Sequence, residues 1–187
     1  LILKNLIKRI KAKAEIKKEE NPKTIVIMRN SALFLLLAFV LASCDSKSVY
    51  DTYKSVPNKW HKDSIISFKI HPPDTLNSYN LFVNLRNNND YKYNNLFLIV
   101  EMKFPHGKTI QDTLEYKMAQ PNGEFLGTGF ADIKENKLWY KEQVVFNEAG
   151  DYTVNIQQAM RENGEEKGVV DLEGITDIGF RIEKTEK

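Results

Sequence analysis

The chain has 187 residues, 42% of them hydrophobic, with 27 basic against 25 acidic side chains and a formal charge of +2. That is enough for one domain with a real core. A single cysteine excludes an intrachain disulfide framework, and the small net charge, which changes sign once the N-terminal segment is set aside, gives no sign of a nucleic-acid-type phosphate-binding surface.

The first 23 residues are basic and amphipathic: Leu1, Leu3, Leu6, Ile7 and Ile10 interleave with Lys4, Lys8, Arg9, Lys11 and Lys13. Taken alone they read as a helix for a membrane surface or a nucleic acid. The preferred reading is a non-native upstream extension over 1–27, because Met28-Arg29-Asn30 makes a better start immediately before an apolar run. From Ala32 to Leu41 that run is nearly all Leu, Ala, Phe and Val, the n-region and h-region of a secretory signal over 28–43. A spanning helix needs about 20 apolar residues, and this stretch has about half of that before it meets Ser43, Cys44 and Asp45. Small residues at Ala42 and Ser43 suit a peptidase cleft, and the Cys44 thiol is the nucleophile that takes a diacylglyceryl group. The pattern resembles the lipobox of bacterial lipoproteins, with Cys44 as the first residue of the mature chain and the lipid attachment site. Two or three acyl chains, at about 0.8 kcal/mol per buried methylene, hold such a protein permanently. Removing residues 1–43, with nine Lys or Arg and three Glu, leaves 18 basic and 22 acidic residues, a formal charge of −4.

Residues 44–60 are polar with few apolar positions and read as a lipidated tether that lifts a domain over 61–187 off the membrane. In that domain breakers recur at short intervals: Pro72-Pro73-Asp74, Asn87-Asn88-Asn89-Asp90, Pro105-His106-Gly107, Pro121-Asn122-Gly123 and Ala149-Gly150-Asp151. Strand-like runs lie between them: Ile65–Ile70, Tyr79–Arg86, Asn95–Phe104, Lys108–Tyr116, Leu138–Phe146, Asp151–Gln157 and Ile178–Glu183. Asn95–Phe104 reads as a central strand, its Phe97 and Ile99 indicating a first half buried on both sides. Residues 157–161 leave room for a short helical turn. Seven to eight strands without helical patterns predict an all-β fold, a single antiparallel β-sandwich of immunoglobulin-like or jelly-roll-like type.

Catalytic groups are sparse. His61, His71 and His106 each sit beside a turn or proline and form no ligand pair, and Cys44 is consumed by lipid. The glycines of Gly123–Gly129 lack a nucleotide-loop context and are expected to serve positive φ or close strand approach. Asp112, Glu115, Glu124 and Asp132 are the carboxylates from which a glycosidase pair would have to be drawn. Asn87–Asp90 lacks calcium-loop spacing and reads as a solvated hairpin turn. Trp60, Trp139 and Tyr140 offer either a sugar-stacking platform or core filling, since neighbours on a strand point to opposite faces.

An ordered set then emerges: Cys44, Val49-Tyr50-Asp51, Trp60, Tyr93-Asn94-Asn95-Leu96-Phe97, Leu126-Gly127-Thr128-Gly129, Gly150-Asp151-Tyr152, Gln158-Ala159-Met160-Arg161 and the run Gly174–Glu183. Across nearly all of the mature chain this set resembles the gliding motility lipoprotein family GldH, with the C-terminal run the most telling. The resemblance implies a noncatalytic structural or interaction component of the gliding motility machinery, linked to type IX secretion. It implies no enzyme and no cofactor beyond the diacylglycerol and N-acyl chain expected on Cys44. The partners it implies are the membrane, through the anchor, and other motility and secretion proteins of the envelope, with no nucleic acid. The location it implies is the outer membrane, with the periplasmic or surface face left open. A lipid-anchored carbohydrate-binding module or glycan hydrolase stands as the alternative.

Overall fold

The computed structural model describes residues 47–162, 164 and 167–185, among which there are ten strands and no helix. One antiparallel sheet runs in the order β1 (Ser48–Ser55), β10 (Ile175–Lys184), β4 (Ser78–Asn87), β7 (Lys134–Val145). The other runs β3 (Ile66–Ile70), β8 (Tyr152–Gln158), β5 (Asn95–Lys103), β6 (Thr109–Lys117). β2 (Lys59–His61) and β9 (Asp171–Glu173) form a two-stranded ribbon at one end. The expected upstream extension, signal and Cys44 lie outside the described residues.

Period-two alternation makes the layers. Leu96, Leu98, Val100 and Met102 of β5, Tyr152, Val154 and Ile156 of β8, and Ile178, Phe180 and Ile182 of β10 all point into one buried core. Phe180 is its hub, with ring contacts to Tyr50, Phe68 and Tyr140. Burying one such ring contributes about 1.5–3 kcal/mol. β5 holds the expected inner position, but its Phe97 and Ile99 are only half-buried; the strand covered on both faces is β4, buried without a break from Leu81 to Leu85. No helical turn follows β8: Gln158 continues the strand, and Arg161 bridges to Gly168.

Two expectations need correction. The tether over 44–60 is too long, because β1 is hydrogen-bonded to β10 from Ser48 to Ser55 and Trp60 is fully buried against the core. β1 is an edge strand held by backbone bonds and polar side chains, so it shows no apolar period. Trp60 is buried by Leu172, its partner across the ribbon, which lies over a hundred residues away.

The Asn87–Asp90 segment is not a solvated hairpin, since β4 and β5 belong to different sheets and the chain must arch between them. Asn87 is fully buried and accepts from Asn136 Nδ2 at 2.8 Å. Asn88 Nδ2 donates to Asn58 Oδ1 at 2.8 Å, and Asn58 Nδ2 donates to Asp90 at 2.7 Å. Gly174 closes this knot: at φ +83 its missing Cβ would lie 2.1 Å from Tyr91 N.

Candidate interaction face

The covering on the outer side of β4 is the most elaborate surface of the described chain. Phe82 and Asn84 point away from the core and yet are 3% and 2% exposed. Their cover comes from the neighbouring strands. β7 contributes Glu135, Lys137 and Trp139, directly opposite Arg86, Asn84 and Phe82. β10 contributes Gly179, Arg181 and Glu183, and β1 contributes Asp51 and Tyr53, opposite Arg181 and Gly179.

The Trp139 indole meets the Phe82 ring edge-to-face at 4.6 Å, and Lys137 Nζ lies 4.1 Å from the centre of the same ring. Lys137 then donates to both oxygens of Glu183 at 2.8 Å, and Arg181 Nε donates to Glu183 Oε1 at 2.6 Å. A second Arg181 nitrogen reaches Asp51. Farther along, Arg86 Nε donates to Glu135 at 2.9 Å while its guanidinium stacks 4.2 Å above the Tyr53 ring. Tyr53 hydroxyl donates to Glu135 at 2.8 Å and accepts from Asn84 Nδ2 at 2.8 Å. Gly179 makes room for that ring, since a Cβ there would lie 2.9 Å from it.

Glu135, Glu183 and Tyr53 are displaced from their ordinary titration ranges. Burial alone would raise Glu183 and Glu135, but hydrogen bonds from Lys137 and Arg181 to the first, and from Tyr53 and Arg86 to the second, hold both below the ordinary carboxylate range. Burial and the Glu135 hydrogen bond push the Tyr53 hydroxyl up. The Glu135 hydrogen bond raises Arg86 in turn, and Glu135 and Glu183 stay paired with cations and hydrogen-bond donors. The face is a network of ion pairs and hydrogen bonds. What it presents is a fixed charge pattern around Trp139, which is 48% exposed. Exposed Trp and Arg on a rigid support have the composition of protein-binding hot spots.

The sequence-predicted site residues are scattered by comparison. His61 at the end of β2 pairs with Asp63, His71 with Asp151, and His106 with Glu148, in three separate places along the chain. Asp112 accepts from Tyr140 hydroxyl at 3.0 Å and pairs with Lys141, whereas Glu115 lies on the opposite face of β6 and accepts from Asn95. Asp132 accepts from Asn89, and Glu124 sits in a turn. Trp139 and Tyr140 do take opposite faces, with Tyr140 in the core beside Trp60 as another core residue, so no aromatic row forms from these three. Gly123 adopts φ +85, Gly127 lies against the Asn136 side chain and the Glu135 backbone, and Gly129 lies against the Ile133 backbone, the positive φ and close approach expected of them. Of the recurrent C-terminal run, Gly179, Arg181 and Glu183 fall on the face and Phe180 and Ile182 on the core side.

The sheet edges are bridged by side chains. Tyr116 hydroxyl on β6 donates to Trp139 O on β7 at 2.7 Å, and Lys141 joins Asp112 at 2.9 Å. On the other side Tyr50 hydroxyl reaches Lys69 O, and the Lys54 amine lies over Phe68. A strand added at either side has to work around these bridges.

A family model described as GldH lipoprotein matches residues 48–182. The "Gliding motility lipoprotein GldH homolog" of Christiangramia forsetii is 58% identical over 154 residues, covering 82% of this chain and 94% of its own. The "Gliding motility lipoprotein GldH" of Flavobacterium johnsoniae is 57% identical over 157 residues, covering 84% and 98%. Among solved structures, that of infectious bursal disease virus Gx strain aligns with a TM-score of 0.38 at 12% identity, over 75% of this chain and about a third (34%) of that one.

Proposed function

The chain belongs to the GldH lipoprotein family, and from that premise we propose that it is a noncatalytic component of the gliding motility machinery that docks another envelope protein through the Trp139 face. The observation that carries this reading is the paired charge network of Asp51, Arg181, Glu183 and Lys137 around a half-exposed tryptophan. In the same reading Cys44 is the acylated first residue, 28–43 is the signal that is removed, the anchor lies in the outer membrane, and the partner belongs to the type IX secretion and motility apparatus.

Support for a noncatalytic role comes from the candidate histidines and carboxylates, which lie on separate elements and do not converge. Pull-down from envelope extracts with the lipoprotein, beside a Trp139→Ala variant, tests the reading. Capture of a motility component that the variant loses is the expected result. Equal capture by both proteins, or no motility component at all, overturns it. Protease treatment of intact cells then assigns the membrane face.

A further inference from the structure

Strand register decides which ends share a pole of the sandwich. Ser48 lies opposite Glu183, Lys184 opposite Tyr79, and Ser78 opposite Val145. In the other sheet Ile70 lies opposite Tyr152, and Lys103 opposite both Thr153 and Thr109. The chain of ring contacts Tyr79–Phe146–Tyr152 joins these ends across the two sheets, and His71 pairs with Asp151 where β3 ends and β8 begins. One pole therefore gathers the start of β1, the end of β10 and the loops 71–77, 104–108 and 146–151.

The chemistry of this pole is mixed. Leu76 is 87% exposed and Val145 44% exposed. Leu76 is held outward by its turn, because Asp74 accepts from the backbone N–H groups of Leu76 and Asn77 at 2.8 and 2.7 Å and from Asn77 Nδ2 at 2.9 Å. Lys184 lies near it, and Lys108 is exposed in another loop of the same pole, which also carries Asp74, Glu148 and Asp151.

We propose that this pole rests in the headgroup layer of the bilayer that holds the protein, a phospholipid surface being its partner; the inference rests on the reading of Cys44 as the acylated residue. The leash is the deciding quantity. Lys47 is already fixed, its carbonyl accepting from Lys184 N at 3.0 Å. Only Asp45 and Ser46 lie between it and Cys44, and the three extended steps of chain reach at most about 11 Å. The headgroup layer on one side of a bilayer is about 5–8 Å deep, so the leash barely clears it. β4, with its ten residues, spans about 33 Å. The opposite pole, where Phe130 and Ile133 are exposed, thus cannot be the one that stands on the membrane while β1 stays paired. Leu76 then enters the interface as an apolar side chain, and the lysine amines face lipid phosphates over their apolar stems.

The test uses the full chain, processed in its host, purified as the lipoprotein and reconstituted in phosphatidylethanolamine–phosphatidylglycerol vesicles with a nitroxide on a fraction of the headgroups. A fluorophore is placed on Leu76→Cys, Val145→Cys or Phe130→Cys, all exposed positions, in variants whose circular dichroism matches the parent; an acylated Cys44 takes no label. Quenching several-fold stronger at positions 76 and 145 than at 130 is expected. Vesicle-bound protein quenched equally at 76 and 130, or more at 130, overturns the orientation and leaves the anchor standing. Protein that stays off the vesicles and takes label at Cys44 overturns the anchor reading and the orientation with it.

Discussion

The outer faces of the two sheets are built differently. On the β3-β8-β5-β6 sheet the outward residues form one layer: Asn155 donates to Glu101 at 2.8 Å, Ser67 donates to Asn155 at 2.7 Å, and Lys103 pairs with Glu101, with none of the four buried. On the β1-β10-β4-β7 sheet the outward residues form two layers, Phe82 and Asn84 below and Trp139, Lys137, Tyr53 and the arginines above. A solvated face needs only alternation. A face with its own buried floor has been ordered at an entropic cost of about 1–2 kcal/mol for each long side chain held in place. Surface order of that kind is what a docking site needs in advance of its partner.

The contrast can be broken by substitution. Glu183→Ala strips the carboxylate from Lys137 and Arg181, whose side chain is only 14% exposed, and is expected to cost about 2–3 kcal/mol. Glu101→Ala on the other face should stay within about 0.5 kcal/mol. Urea titrations of the two variants side by side decide whether the difference exists.

A smaller effect is expected of Gly179→Ala, about 1–2 kcal/mol, because the added methyl meets the Tyr53 ring. That loss should largely vanish in a Tyr53→Ala background, which a double-mutant cycle measures.

Acid sharpens the comparison further. Glu183 is held below its ordinary value of 4.5, so its contribution is fully present above that pH and is lost as pH falls through the lower folded-state value. Thermal midpoints below pH 4.5 should therefore fall less steeply in Glu183→Gln than in the parent chain. Trp139→Ala should change stability by no more than about 1 kcal/mol, while reducing partner capture at least tenfold. Loss of both together would make Trp139 a structural residue.

Most of the fold was legible because core-facing residues announce themselves every second position. β4, β5, β8 and β10 could be placed within a few residues for that reason. β1 was not, since an edge strand whose side chains are mostly polar looks like a linker. The first residues of β7, Lys134–Lys137, were also missed, being polar because they answer Asn84, Arg86 and Asn87 of β4. The face itself was half visible. The alternation of Gly179, Arg181 and Glu183 against Phe180 and Ile182 marked an outward side. That Arg181 would meet Asp51, 130 residues away, depends on strand register, which no local pattern carries.

The most direct measurement is in-cell photo-crosslinking with a photoreactive amino acid at position 139 of one face and, separately, at position 155 of the other. The account predicts a discrete adduct with a motility or secretion protein from position 139 and none from position 155. An adduct from position 155 alone, or the same adduct from both, would contradict it.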